Sequence, residues 1–246
     1  RRVRAEKRKK EQENLELDLR QKTSRVNMLE DMEKNMEGYT GSVRAVMREA
    51  KRGSLRGIPG ALSQLISVPE QYAVAIETAF GAALQNIVTD SEGDAKRAIQ
   101  FLKETKGGRA TFLPLSAVRG RMLEERGLAQ CDGFVAVASD LVKCDATYEA
   151  VVKAQVGRTA VAEDMDCAIA IARKFSYRFR IVTLDGQIIN AGGSMTGGSR
   201  MQNAGFLSRS NEIEKLRTEM QAAQAKLSEG AAAYKTAREE FSACLL

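Results

Sequence analysis

The chain has 246 residues, 43% hydrophobic, 28% charged and 5% aromatic, with a net charge of +6, three Pro and no Trp. That is too apolar for a disordered chain, and no apolar run approaches the roughly 20 residues of a membrane-crossing helix. The absence of His excludes Ser-His-Asp and Cys-His catalysis, imidazole metal sites and His acid–base chemistry together.

Residues 1–37 contain neither Gly nor Pro and are dense in charge. Leu15, Leu19, Val26, Leu29 and Met36 follow the alternating spacing of a coiled-coil seam, with Lys22 and Glu33 falling in it and weakening it. From Gly41 to Arg52, Val43, Val46, Met47 and Ala50 share one helical face, and Arg44, Arg48, Lys51 and Arg52 the other. Residues 61–67 read as a strand, and Pro69 opens a helix to Ala79. Residues 84–89 are β-rich. Asp90 or Ser91 then caps a helix to about Lys106, which Gly107-Gly108 stops before a strand over 109–113.

A second set follows. Residues 134–138 read as a strand, Asp145 opens a helix to about Val156, and 159–162 is a short strand. Asp164 caps a helix ending near Phe175. Residues 180–184 and 187–190 flank Asp185-Gly186, a two-residue hairpin signal. The central region is therefore mixed α/β, two small lobes joined near residues 116–133. After the glycine-rich stretch 191–199 the chain returns to helix formers. Ile213, Met220, Leu227, Tyr234 and Phe241 repeat every seven residues, with Leu216, Ala223, Gly230, Ala237 and Cys244 between them. Two such arms flanking a compact region pair as an antiparallel hairpin with the region as its cap. The alternative is that each arm is an ordinary amphipathic helix lying on a globular core.

The strongest local feature is Gly192-Gly193-Ser194-Met195-Thr196-Gly197-Gly198, directly after a strand. Three uses compete: a phosphate loop, a flexible linker, or a surface where a second subunit's backbone packs closely. The first lacks the GxxxxGK[ST] and GxGxxG patterns. The acidic groups Glu124-Glu125 and Glu163, Asp164 and Asp166 suit helix starts and solvated faces better than catalysis or metal binding. Cys131, Cys144, Cys167 and Cys244 form no CxxC pair and read as small buried residues or free thiols in a reducing compartment. Without an initiator Met or anything like a signal peptide, the chain is expected to be a segment of a longer protein.

Of the net charge, the central region carries most, with 21 basic and 17 acidic residues in 38–200. Arg44, Arg48, Lys51 and Arg52 form one cluster, and Lys96, Arg97, Lys103, Lys106 and Arg109 another. A face of this size can contact several phosphates of DNA without reading sequence, and a solvated helix face accounts for the same residues.

Taken together, Gly38-Tyr39-Thr40-Gly41-Ser42-Val43, Ala75-Ile76-Glu77-Thr78-Ala79-Phe80-Gly81-Ala82-Ala83-Leu84, Gly108-Arg109-Ala110-Thr111-Phe112-Leu113-Pro114-Leu115, Arg180-Ile181-Val182-Thr183-Leu184-Asp185-Gly186 and the glycine stretch 192–199 resemble the hinge domain of the bacterial structural maintenance of chromosomes (SMC) protein. The resemblance implies a mixed α/β, two-lobed hinge over 38–200, with lobe I at about 38–118, a linker at about 119–133 and lobe II at about 134–200. Coiled-coil arms over 1–37 and 201–246 would flank it. It further implies a homodimer whose interface includes Gly192, Gly193, Ser194, Met195, Thr196, Gly197 and Gly198, the C-terminal lobe of one subunit meeting the N-terminal lobe of the other. In such proteins ATP and Mg belong to separate head domains, which also hold kleisin-type subunits. This segment is accordingly expected to have no catalytic residue, cofactor or metal of its own, and to work in the cytoplasm on the nucleoid.

Overall fold

The computed structural model describes residues 2–199 and 205–243, with side chains described for 9–199 and 205–232. By its internal contacts the chain divides into two units, residues 38–211 and residues 1–37 with 212–246.

Helix α1 (Arg2–Lys34) opens the chain, and α2 (Gly41–Arg52) begins the central unit. The apolar face read from the sequence is the buried one, with Val43, Val46 and Met47 inside. Gly53, at φ 83°, ends α2 by giving its N–H to Ala50 and Glu49 carbonyls. The expected strand over 61–67 is broken: β1 (Gly60–Ala61), one turn of helix α3 (Leu62–Leu65) and β2 (Ile66–Ser67) replace it. The break lets Gln64 fold back, its Oε1 accepting the Ala61 N–H at 3.1 Å. A 3₁₀ turn at Glu70–Tyr72 leads into α4 (Ala73–Phe80), then β3 (Ile87–Thr89), α5 (Glu92–Glu104) and β4 (Phe112–Pro114). Ser91 caps α5 in a capping box, accepting the Asp94 N–H at 3.2 Å while Asp94 accepts the Ser91 N–H at 3.0 Å. The helix ends in a Schellman turn one residue before the glycine pair: Lys106 takes φ 52° and the Gly107 N–H bonds the Leu102 carbonyl at 2.8 Å. These three strands form a sheet in the order β1-β3-β4, antiparallel then parallel.

The second lobe contains β5 (Phe134–Val137), β6 (Lys143–Cys144), α6 (Glu149–Val156), β7 (Thr159–Ala162), α7 (Met165–Lys174), β8 (Arg180–Thr183), β9 (Ile188–Ile189) and β10 (Met195–Thr196). Its sheet runs β10-β9-β8-β7-β5. Asp164 caps α7 through a 2.8 Å bond from the Cys167 N–H. That bond, with the nearby thiol, holds the Asp164 carboxyl below its ordinary value, and the carboxylate in turn pushes the Cys167 thiol up. Strand β10 lies inside the glycine stretch and is not foreshadowed by any β-branched run.

The lobes are stitched together. β2 pairs with β6, Ile66 opposite Cys144. One apolar core takes Leu62, Ile76, Val88 and Leu113 from the first lobe with Val151, Val156, Val161 and Val182 from the second. A second core lies against α7, with Ile171, Phe175, Phe179 and Ile181. Leu123 and Leu128 of the 119–133 stretch are buried in it, and the Leu123 N–H bonds the Gly157 carbonyl at 2.8 Å.

Helix α8 (Phe206–Ala243) completes the chain. Its first residues belong to the central unit: Phe206 lies on Tyr39 with ring centroids 4.5 Å apart, and Asn211 Nδ2 donates to the Val68 carbonyl at 2.9 Å. In the other unit, α1 and α8 form the expected antiparallel coiled coil, with Val26, Leu29 and Ile213 buried and Met32, Leu216 and Met220 packed on them. Two seam assignments change. Glu33 points to solvent and its neighbour Met32 takes the seam, while Gly230 is exposed. Lys22 stays in the seam because it is neutralised there, 2.9 Å from Asp18 and 3.0 Å from Glu219. Its ammonium is held above its ordinary pKa by those two carboxylates. Arg25–Glu212 at 2.7 Å and Arg217–Glu30 at 2.6 Å flank the seam. The side chains of Tyr234, Ala237 and Phe241, and the residue Cys244, lie outside the described residues.

Candidate dimerisation edge and basic face

Strand β10 is the outer strand of the five-stranded sheet, and Met195 on it is 51% exposed. The glycines before it build the turn from β9. Gly192 and Gly193 sit at φ 86° and 95°, a region that side chains with a Cβ rarely enter. Their N–H groups bond the Tyr177 carbonyl at 2.9 Å and the Asn190 carbonyl at 3.0 Å, and the Asn190 N–H bonds the Ser194 carbonyl at 2.8 Å. Tyr177 braces the turn with its ring, 3.5 Å from where a Cβ on Gly193 would lie. At the other end the Gly198 N–H donates to Gln187 Oε1 at 2.8 Å, and a Cβ on Gly197 would strike that same oxygen.

The pairing fixes which backbone groups are free. Asn190 and Ser194 form a hydrogen-bonded pair, so the next pair, Ile189 opposite Met195, is of the non-bonded kind. The Met195 N–H and C=O therefore point away from β9, off the edge of the sheet. A second edge exists in the first lobe. β4 is the outer strand beside β3; the Ile87 N–H bonds the Thr111 carbonyl and the Leu115 N–H the Thr89 carbonyl. Alternation turns the main chain of Phe112 outward between them. β10 and β4 thus each present outward main-chain groups at the rim of a sheet, β5 and β1 being the outer strands on the opposite sides.

All nine basic residues of the two clusters are exposed. Helices α2 and α5 are neighbours, so the clusters come together on one lobe, and Ser42 Oγ donates to the Arg109 carbonyl at 2.7 Å across the join. Arg52 and Arg97 are engaged on their own helices, with Glu49 at 2.7 Å and with Asp94. Among the described residues no group of His, Cys, Asp and Glu could hold a metal ion, and no helix is long and apolar enough to cross a membrane.

Sequence reasoning missed one buried and one half-buried charge that reach across the fold. Glu77 on α4 and Arg180 at the start of β8 both lie within the motif stretches, yet nothing in their spacing announces their contacts. Arg180 Nη1 donates to the Ala79 carbonyl at 2.8 Å and Nη2 to the Thr78 carbonyl at 3.3 Å. Burial pulls its guanidinium below the ordinary arginine value.

This arrangement has known counterparts. Residues 55–172 match the family model described as SMC proteins Flexible Hinge Domain. A crystal structure of an asymmetric dimer of the Geobacillus stearothermophilus SMC hinge domain superposes with a TM-score of 0.86, at 36% identity over 98% of both chains. The chain belongs to the SMC hinge domain family. The Pyrococcus furiosus SMC hinge domain is also similar, at 32% identity, a TM-score of 0.56, and 74% of this chain against 92% of that one. The Chromosome partition protein Smc of Desulfitobacterium hafniense is 42% identical over 214 residues, as is that of Bacillus subtilis over 200. These cover 85% and 80% of this hinge chain but only 18% and 17% of those proteins.

Proposed function

We propose that this hinge is a homodimerisation module of a chromosome-partitioning SMC ATPase, joining two copies at the ends of their folded-back coiled coils. The carrying observation is that β10 on the second lobe and β4 on the first are outer strands with main-chain groups turned outward. If β10 of one copy adds to β4 of another, a two-fold axis repeats the contact, and these two edges of both copies are satisfied in one closed dimer. Each edge is only two or three residues long, so one contact alone is weak. The second becomes intramolecular once the first has formed. The Geobacillus hinge, an asymmetric dimer, supports self-association of such a module. The Met195 and Phe112 side chains supply apolar cover at the join, and Gly192, Gly193, Ser194, Thr196, Gly197 and Gly198 hold Met195 at the rim.

In this reading the module is mechanical. ATP and Mg act in head domains elsewhere in the whole protein, kleisin-type subunits bind there, and the work is done on the nucleoid in the cytoplasm. The basic face of α2 and α5 adds a weak, sequence-independent affinity for DNA.

Met195→Pro tests the interface. It removes the outward N–H without touching a bond to β9, a position where edge strands accept proline. Sedimentation should give a monomer at concentrations where the parent is dimeric, with amide exchange in β7 and β8 unchanged. A variant that remains dimeric would overturn the β10 assignment.

A further inference from the structure

We propose that the last turn of α4 is a junction that couples the β10-bearing sheet to the first turn of the arm helix α8, with Arg180 and Glu77 as its two fittings. The proposal rests on the dimer reading for its purpose but not for its geometry.

At one end, α4 finishes with uncompensated carbonyls, as every helix does. Gly81, at φ 53°, ends the helix and gives its N–H to the Glu77 carbonyl. The carbonyls of Thr78 and Ala79 are met by the Arg180 guanidinium. Arg180 is the first residue of β8, which pairs with β9, which pairs with β10. A cation at a helix C-terminus is also favoured by the helix dipole. Among the described residues its Nε has no hydrogen-bond partner, and the carbonyls of α4 hold this half-buried charge.

On the arm side of the same turn, Glu77 is 6% exposed and its Oε1 accepts the Ser208 N–H at 2.8 Å. Ser208 is the third residue of α8, where an N-cap side chain would normally serve. The residue in that cap position is Gly205, which has no side chain to offer. A Cβ there would sit 2.0 Å from Glu77 Oε2, so only glycine leaves room for the carboxylate. The arm helix therefore takes its cap from the hinge core instead of from its own sequence. The helix that carries both fittings is anchored in the core: Ala73, Ala75, Ile76, Ala79 and Phe80 are all buried.

Arg180 meets the α4 carbonyls and not the Ser208 amide, which Glu77 holds. That makes the coupling testable by amide exchange on the full chain. Arg180→Ala should speed exchange of the Ser208 amide by about tenfold, while amides of β7 and of Val26 and Leu29 keep their parental rates. Glu77→Ala should speed Ser208 more, and the double variant should be no faster than Glu77→Ala. Arg180→Lys, which keeps a cation at the α4 carbonyls, should restore much of the protection and serves if the alanine variant folds poorly. Parental exchange at Ser208 in the Arg180 variants, additive effects in the double variant, or a uniform rise across all amides would each overturn the junction. Sedimentation of the same samples separates the two readings. A coupled monomer would sink the dimer and keep the junction, and an uncoupled dimer would do the reverse.

Discussion

At the residue scale, single side chains mark where one element hands over to the next. Ser91 shows how local this can be. Its hydroxyl accepts the Asp94 N–H, and Asp94 returns the bond to the Ser91 N–H. The loop before β1 leans on the same box, since the Gly57 backbone approaches the Asp94 carboxylate where no Cβ would fit. Ser91→Ala leaves the Asp94 amide without its acceptor, and should lower stability by about 1 kcal/mol, seen as a reduced urea midpoint at unchanged slope. Such caps were legible because Ser, Thr and Asp act on amides two or three residues away. The αL residues Lys106, Ser176 and Tyr177 were not, since their backbone is set by what they reach: Tyr177 must turn back to meet Gly192. Glu77 and Arg180 escaped for the same reason, their partners being over 100 residues distant in sequence.

At the element scale, periodicity decided what could be seen. The helices α2, α5 and α7, and the strands β5, β7 and β8, carry patterns long enough to read, and each stands within a few residues of its expected place. β10 carries two residues between glycine pairs, too few for alternation, and exists because β9 offers an edge. Residues 61–67 look like one apolar strand because β1, α3 and β2 are all buried in part, and burial of short segments does not distinguish strand from helix. In the arms, the seven-residue repeat placed Val26, Leu29 and Ile213 correctly but could not say how a lysine would be accommodated. Lys22 is held by Asp18 on its own helix and by Glu219 on the partner helix. A charge at such a seam position favours one register over its neighbours. Lys22→Glu should therefore lower the thermal stability of the arms, and adding Glu219→Lys should recover part of it, Asp18 still opposing the new glutamate. The difference between single and double variants, followed by helical circular dichroism, should shrink as salt is raised. Equal melting of the two variants at low salt would show that the pair sets nothing.

At the scale of the whole molecule, two surfaces on the hinge are separate in structure and should be separable in function. The β10 edge is made of backbone and a methionine, whereas the α2–α5 face is made of exposed cations. Among the described residues, seven of those cations, Arg44, Arg48, Lys51, Lys96, Lys103, Lys106 and Arg109, form no ion pair, while Arg52 and Arg97 are drawn to acids on their own helices. Phosphate binding by such a face works through release of counterions, so its signature is a steep loss of affinity with salt and indifference to sequence. Reversing Lys96, Lys103, Lys106 and Arg109 to Glu removes four candidate phosphate contacts. The slope of log affinity against log salt should become shallower by roughly 3 to 4, and binding at low salt should fall by at least about tenfold. All four residues are exposed, so the fold and the dimer mass should stay as in the parent. Arg52→Glu and Arg97→Glu, whose partners already neutralise them, should change the slope less than any pair drawn from the seven. If the quadruple variant bound DNA with the parental salt slope, the basic face would be a solvated surface and nothing more. If it became monomeric, the two surfaces would not be independent, and the β4 strand that follows Arg109 would be the place to seek their connection.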